Sequence, residues 1–188
     1  MILYWSIITI AIVILSVINV ALGSNVWGLN EWWSIAILWG CVAYEFAIDG
    51  FFAWFLHELP DKWFTRDKKI FKVSKKSRKF YDAIKIKSWK DKVWELGGLG
   101  GFSKKNLEKP NNPEYIEKFI IECNKGVLTH RLSYPIGFLP MVFMPNVCAY
   151  SVALPVAMVN LFLNVLPTLV IRYNTPTLKS ILKRMKRK

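Results

Sequence analysis

The chain has 188 residues, 53% of them hydrophobic, with 26 Lys and Arg against 13 Asp and Glu for a formal net charge of +13. So apolar a composition leaves too little polar surface for a soluble globule of this length and points to one small integral membrane domain. Three cysteines with neither CxxC nor Cys/His spacing argue against a disulfide framework and give no metal site, and the placement of the positive charge turns it away from nucleic acid.

Every Lys and Arg falls within residues 62–131 or 172–188, while residues 1–61 and 132–171 carry none. Cation-free apolar runs cross a bilayer and cation-rich segments stay on the cytoplasmic side, so both basic blocks face the cytoplasm and the spans between them come in pairs. The expected architecture is all-α and integral to the membrane, with four transmembrane helices near residues 1–22, 32–56, 132–149 and 151–171. A basic interfacial helical segment over 60–131 joins spans two and three, a basic tail covers 172–188, and both termini are cytoplasmic. The first run lacks a basic start and is too long for a signal peptide, so it reads as a retained span. Charge divides as −3 over residues 1–56, +9 over 57–131 and +7 over the tail. The expected polyanion is therefore the anionic inner leaflet of a bacterial cell membrane, not a nucleic acid.

In chain order, the cation-free connection 23–31 with Trp27, Trp32 and Trp33 reads as an outer-face turn, because Trp collects at the membrane interface. Pro60 ends the second span. Over 62–96 cations interleave with Trp63, Phe64, Phe71, Phe80, Tyr81, Ile84, Trp89, Val93 and Trp94, as in a segment lying along the membrane surface, and two short helices are expected there. The alternation Ile84, Lys85, Ile86, Lys87 has instead the period of an extended piece. Gly97, Gly98, Gly100 and Gly101 read as a hinge, since a P-loop needs a preceding strand and a following Lys-Ser/Thr. Asn112-Pro113-Glu114 is a helix start: a capping amide, a preset φ and an acid in the first turn. Tyr115, Ile116, Phe119, Ile120, Cys123 and Val127 continue that helix toward the third span. Pro135, Pro140, Pro145, Pro155 and Pro167 then each free a backbone carbonyl inside the bilayer, with a break expected near Pro145 and Asn146.

Only two histidines exist, His57 at the inner end of span two and His130 just before span three, and they fall at nearly one depth with Glu58, Asp61, Glu122, Arg131 and Arg172. An imidazole to take a proton, a carboxylate to orient it and a guanidinium for an anionic group are the parts of a base-catalysed transfer. His130, His57 and Glu122 are thus the catalytic candidates, expected to converge with Arg172 at one rim of the bundle. Glu45 and Asp49 stand i,i+4 on span two with no cation in any span. At 1.5 Å per residue they lie roughly 16 and 10 Å below the inner boundary, and Asn160 and Asn164 roughly 18 and 12 Å. Intramembrane carboxyls usually mark function. These four residues either hydrogen-bond one another as interhelical glue or form a polar pocket for a hydroxyl-bearing headgroup. His57-Glu-Leu-Pro-Asp61 is one residue short of a His-x4-Asp acyltransferase motif, and no GxSxG elbow is present.

Taken in order, Pro60-Asp-Lys-Trp-Phe64, Ile70-Phe-Lys72, Lys79-Phe-Tyr81, Ile86-Lys-Ser-Trp-Lys-Asp91, Glu122 with His130, Asn164 and Arg172-Tyr-Asn174 resemble the glycosyl-diaponeurosporenoate acyltransferase family, from about residue 60 to 178. The resemblance implies a membrane enzyme that esterifies a hydroxyl of a lipid-linked acceptor, a glycosyl carotenoid or other glycolipid, with a fatty acyl chain at the cytoplasmic leaflet, as in the staphyloxanthin pathway. It implies no cofactor beyond the acyl donor, an acyl-CoA or phospholipid serving as co-substrate, and membrane lipids and the acceptor as partners. On that reading His130 is the base and Glu122 its orienting acid. Arg172 and the 85–92 cluster that contains Lys90 hold the donor's phosphates, Trp89 marks the acyl boundary, Asn174 belongs to the substrate motif, and Glu45, Asp49, Asn160 and Asn164 bind the acceptor sugar. The chain departs from the family pattern at Lys75 and Val127, which replace acids, at Ile171, which replaces Gln, and at Thr175, which replaces Arg. The alternative expectation is a noncatalytic membrane protein that binds anionic lipid or a partner subunit through the basic aromatic segment.

Overall fold

The computed structural model describes residues 2–26, 28, 30–65, 68–93 and 107–187. Trp27, Trp94 and the glycine joint 97–101 lie outside the described residues. The described elements are all helical: α1 (Ile2–Val26), α2 (Glu31–Glu58), α3 (Lys75–Ala83), α4 (Ile86–Trp89), α5 (Pro113–Ile136), α6 (Pro140–Phe143), α7 (Asn146–Cys148) and α8 (Leu154–Met185), with 3-10 turns at Asp61–Trp63, Lys69–Phe71 and Lys90–Lys92 and a π-helical turn at Ala149–Ala153. Among the described residues, three stretches are long and apolar enough to cross a membrane: Tyr4–Leu22, Glu31–Glu58 and Asn146–Met185. The segment expected as the third span, 132–149, comprises the end of α5, a turn at 137–139 and the single turns α6 and α7, with the break expected near Pro145 and Asn146 lying between those two turns. Pro140 and Pro145 lack the N–H that would carry one helix through.

The chain divides into two compact units, Met1–Phe52 with Arg131–Val165, and Ala53–His130 with Leu166–Lys188. In the first, α1 is apolar on every side and leaves Ile10, Val13, Ile14 and Val17 exposed, as a helix facing lipid does. Gly28, at φ +65°, turns the chain where a side chain is disfavoured, and Asn30 caps α2 by accepting the Trp32 N–H at 2.9 Å. Leu15, Leu38, Cys41, Val152, Ala153 and Val156 form the apolar centre.

Polar contacts set the helix directions in this unit. Asn19 meets Ser151 and Tyr4 meets Leu163, so α1 runs antiparallel to the chain from the π turn into α8. Glu45 meets Asn160 and Asp49 meets Asn164, so α2 and α8 run parallel. Tyr44 meets Ile136 and Cys41 Sγ meets Met144 Sδ, so the broken stretch 136–144 runs antiparallel to α2.

Three of these contacts answer the prolines. Pro155 denies Ser151 O its α-helical partner, and Asn19 Nδ2 donates to that carbonyl at 3.1 Å. Pro167 does the same to Leu163 O, which takes the Tyr4 hydroxyl at 3.3 Å. Pro140 does so to Ile136 O, which accepts both the Leu139 N–H at 2.9 Å in a tightened turn and the Tyr44 hydroxyl at 3.1 Å. Without water to compensate, a hydrocarbon environment requires such partners.

The second unit is built on α5 and the end of α8. Asn112 caps α5 as expected, its Oδ1 accepting the Tyr115 N–H at 3.1 Å. Ile116, Phe119, Ile120, Cys123 and Val127 then present one stripe to Ile171, Leu178 and Leu182. Two short helices do form in the basic segment. Lys85, at φ +49°, separates α3 from α4, so the alternation at 84–87 is a turn running into the start of α4 and not a strand. Trp89 Nε1 donates to Ile84 O at 2.9 Å and Ser88 Oγ to Lys85 O at 2.8 Å, bracing that left-handed residue.

Interhelical hydrogen bonds in membranes contribute about 0.6 kcal/mol on average and up to about 1.7. The Asn19→Ala loss in reversible detergent unfolding is therefore expected to shrink by an amount of that order in a Pro155→Ala background, where Ser151 O regains its N–H. A double-mutant cycle with no coupling would refute the pairing.

Candidate active site

Within the two units, the structure gathers most of the sequence-expected site residues into three groups, with His130 described apart from them. Two belong to the second unit. Glu122, on α5, sends Oε2 to within 3.9 Å of His57 Nδ1 and Oε1 to within 3.5 Å of Lys125 Nζ. Lys125 also pairs with Asp61 at 2.8 Å, donates to His57 O at 3.3 Å and lies over the Phe64 ring at 5.5 Å. Its side chain is only 8% exposed, against 70% for His57. A buried ammonium thus gathers the acid, the backbone at His57 and the chain at Asp61, while the imidazole stays open to an incoming group. The 3.9 Å separation exceeds a hydrogen bond but is of a kind that tightens when substrate binds.

His130 is half-buried on α5, eight residues beyond Glu122. Eight residues is about 12 Å of rise and about 80° of rotation, and the Glu122 carboxylate turns to His57 and Lys125. Of the two imidazoles the sequence singled out, His57 is the one beside that acid.

The second group surrounds Arg172. Its Nε donates to the Tyr81 hydroxyl at 3.3 Å, and its two terminal nitrogens donate to Ile70 O at 3.4 Å and Lys72 O at 3.1 Å. Tyr81 stacks edge-on with Tyr173, Lys90 Nζ lies 5.9 Å from the Tyr173 ring centroid, and the same ammonium donates to Asn174 Oδ1 at 3.3 Å. Arg172, expected as a phosphate ligand, here clasps backbone, a task its planar fork suits. Phe71, between the two clasped carbonyls, packs on Phe64 with centroids 6.4 Å apart, which links this group to the Lys125 group through aromatic contact.

The third group lies in the first unit. Asn160 Nδ2 donates to Glu45 Oε2 at 2.6 Å, and Asn164 Nδ2 sits 3.3 Å from both Asp49 oxygens and 2.7 Å from Asn160 Oδ1. The buried Ser133 hydroxyl lies beside Asp49. Gly137 packs against this ladder so closely that a Cβ on it would meet Glu45 Oε2 at 2.5 Å. These contacts are those of a closed interhelical ladder.

Sequence reasoning missed Lys125 and Asn124, and it placed Tyr81 in an ordered motif without a role. Asn124 stands four residues past Ile120 on the apolar stripe, a legible signal that it is buried, and its Nδ2 donates to Phe64 O at 2.7 Å. Lys125 carried no such signal, because a lysine beside a stripe is ordinarily solvated. Three of the departures from the family pattern also meet: Val127 and Ile171 share the buried apolar cluster, and the buried Thr175 hydroxyl donates to Ile171 O at 2.7 Å.

Long apolar helices and a cationic, aromatic-rich unit define a membrane protein. The family model for glycosyl-4,4'-diaponeurosporenoate acyltransferase matches residues 60–184, two thirds of the chain. The chain belongs to that family and is an acyltransferase. The matched region holds Glu122, Lys125, His130 and Arg172, whereas Glu45, Asp49 and His57 precede it. No curated protein and no solved structure matches the chain.

Overpacking a closed site costs about 1–3 kcal/mol, and Gly137→Ala is expected to lower unfolding stability by that order. Combined with Glu45→Ala, which empties the space, it is expected to cost much less than the two losses added. Strict additivity would show that Gly137 does not answer to that carboxyl.

Proposed function

We propose that this acyltransferase moves a fatty acyl group onto a hydroxyl of a lipid-linked acceptor, a glycosyl carotenoid or related glycolipid, at the cytoplasmic leaflet, with His57 as the general base. The observation that carries this reading is the Glu122 carboxylate held beside the open His57 imidazole by the buried Lys125. A sugar hydroxyl is a weak nucleophile at neutral pH and needs a base within hydrogen-bond reach. In the proposed step the His57 Nε2 takes the hydroxyl proton as the oxygen attacks the donor's acyl carbonyl. Glu122, at the Nδ1 side, orients the ring and stabilises the imidazolium. The C–S or C–O bond of the donor then breaks, and the imidazolium returns its proton to the leaving group. The donor is an acyl-CoA or phospholipid acting as co-substrate, and exposed Lys85 and Lys87 beside Trp89 offer contacts to its phosphates. Membership of an acyltransferase family favours this over a purely lipid-binding role.

The reading includes four passes with both termini cytoplasmic, the broken stretch 132–148 making the third. Its support is the absence of cations over residues 1–61 and 132–171, together with the alternating directions of α1, α2, the stretch 136–144 and α8 within the first unit.

General-base catalysis contributes roughly 10²- to 10⁴-fold, so His57→Ala is expected to lower kcat by that range, with Glu122→Gln lowering kcat more than it raises KM. The assay uses purified protein, radiolabelled acyl donor and extracted bacterial glycolipid. Full activity in His57→Ala with loss in His130→Ala would transfer the role to His130.

A further inference from the structure

The basic segment contains one pattern three times: an exposed lysine, an outward apolar side chain, then an inward aromatic one. The three copies are Lys62-Trp63-Phe64, Lys69-Ile70-Phe71 and Lys79-Phe80-Tyr81. Trp63, Ile70 and Phe80 are 53%, 52% and 51% exposed, whereas Phe64, Phe71 and Tyr81 are buried to within a few per cent. The copies sit on different local structures, two on 3-10 turns and one on α3, so no single helical period generates the pattern.

The inward residues tie the copies together. Phe64 packs on Phe71 at 6.4 Å. Arg172 joins the carbonyls of Ile70 and Lys72 to the Tyr81 hydroxyl. With the inner rings pinned, the three outer side chains have no route into this core. Large apolar groups exposed at more than half their surface, each directly preceded by an exposed cation, suit a boundary that is anionic at its surface and apolar just beneath. Acidic protein partners would pair with the lysines but leave Trp63, Ile70 and Phe80 without an apolar layer to enter.

We infer that these three lysine–apolar pairs are a three-point anchor that docks the second unit onto an anionic phospholipid leaflet, each ammonium meeting a lipid phosphate and each neighbouring side chain entering the glycerol–acyl layer. The test reads label accessibility and needs no turnover. The native cysteines, Cys41, Cys123 and Cys148, are all buried. In a background with these replaced by Ala, full-length protein carries a nitroxide on Trp63→Cys, Ile70→Cys or Phe80→Cys, with Lys109→Cys, at an exposed turn position, as the aqueous reference. The protein is reconstituted into vesicles of phosphatidylcholine with or without phosphatidylglycerol, and collision rates with dioxygen and with a water-soluble nickel chelate are measured. With phosphatidylglycerol present, all three labels are expected to meet the nickel chelate several-fold less often than the reference and dioxygen more often. Lys62→Gln, Lys69→Gln and Lys79→Gln together are expected to reverse the shift. Nickel access equal to the reference, or protection unchanged by removing phosphatidylglycerol, would overturn the anchor.

Discussion

A peptide carbonyl stripped of its partner in hydrocarbon has no water to turn to, and the first unit is organised around that constraint. Its most apolar region is also rich in proline, each of which removes one donor from the ladder. Tyr4, Asn19 and Tyr44 supply side-chain donors to the carbonyls facing Pro167, Pro155 and Pro140. Apolar matching cannot set the register of these helices, because lipid tails are as apolar as leucine. Contacts that must be polar therefore decide which stretches lie together and in which direction. The Glu45–Asn160 and Asp49–Asn164 ladder does the same between α2 and α8, and Gly137 allows the stretch after α5 to approach it.

The second unit obeys different physics, since an amphipathic stripe on α5 can gain from leaving water. Around that stripe the aromatic-rich segment is held by two cations of different chemistry. The Arg172 guanidinium spreads its donors over two carbonyls and a phenol, joining the nearby pieces at 70–72 and 81 to α8, which lies far away in sequence. Lys125 works as a buried point charge between Asp61 and Glu122. Its consequence is chemical as well as structural, because the acid it holds is the one beside His57. Much of the ordered motif set thus reads as scaffold: Asp61, Phe64, Phe71, Tyr81 and Arg172 hold the segment, and the group nearest to chemistry is small.

How far the sequence could be read depended on whether a local rule governed the feature. The start of α5 at Asn112-Pro113 and the stop of α2 before Pro60 follow from caps and missing donors, and both appear where expected. The matching depths of Glu45, Asp49, Asn160 and Asn164 follow from helical rise alone, and the pairs do meet. The alternation at 84–87 pointed to an extended piece beside the two expected short helices, and the helices form, separated by a left-handed Lys85 that local periodicity does not reveal. The break expected near Pro145 and Asn146 is present, and what the prolines did not show in advance is the earlier interruption at 137–139, where the chain turns before Pro140. Convergence of both histidines with Arg172 was an inference from depth, and depth leaves rotation about each helix axis open.

By itself the sequence determined that the protein is helical and of the membrane, where its cations gather and which family it joins, because these rest on composition, period and ordered motifs. Only the tertiary structure decided that Glu122 lies beside His57, that Lys125 is buried, that Arg172 grips backbone and that Tyr4, Asn19 and Tyr44 answer three prolines. Each of those depends on which faces of distant segments are brought together. A contact between residues a hundred positions apart leaves no trace in the local pattern of either one.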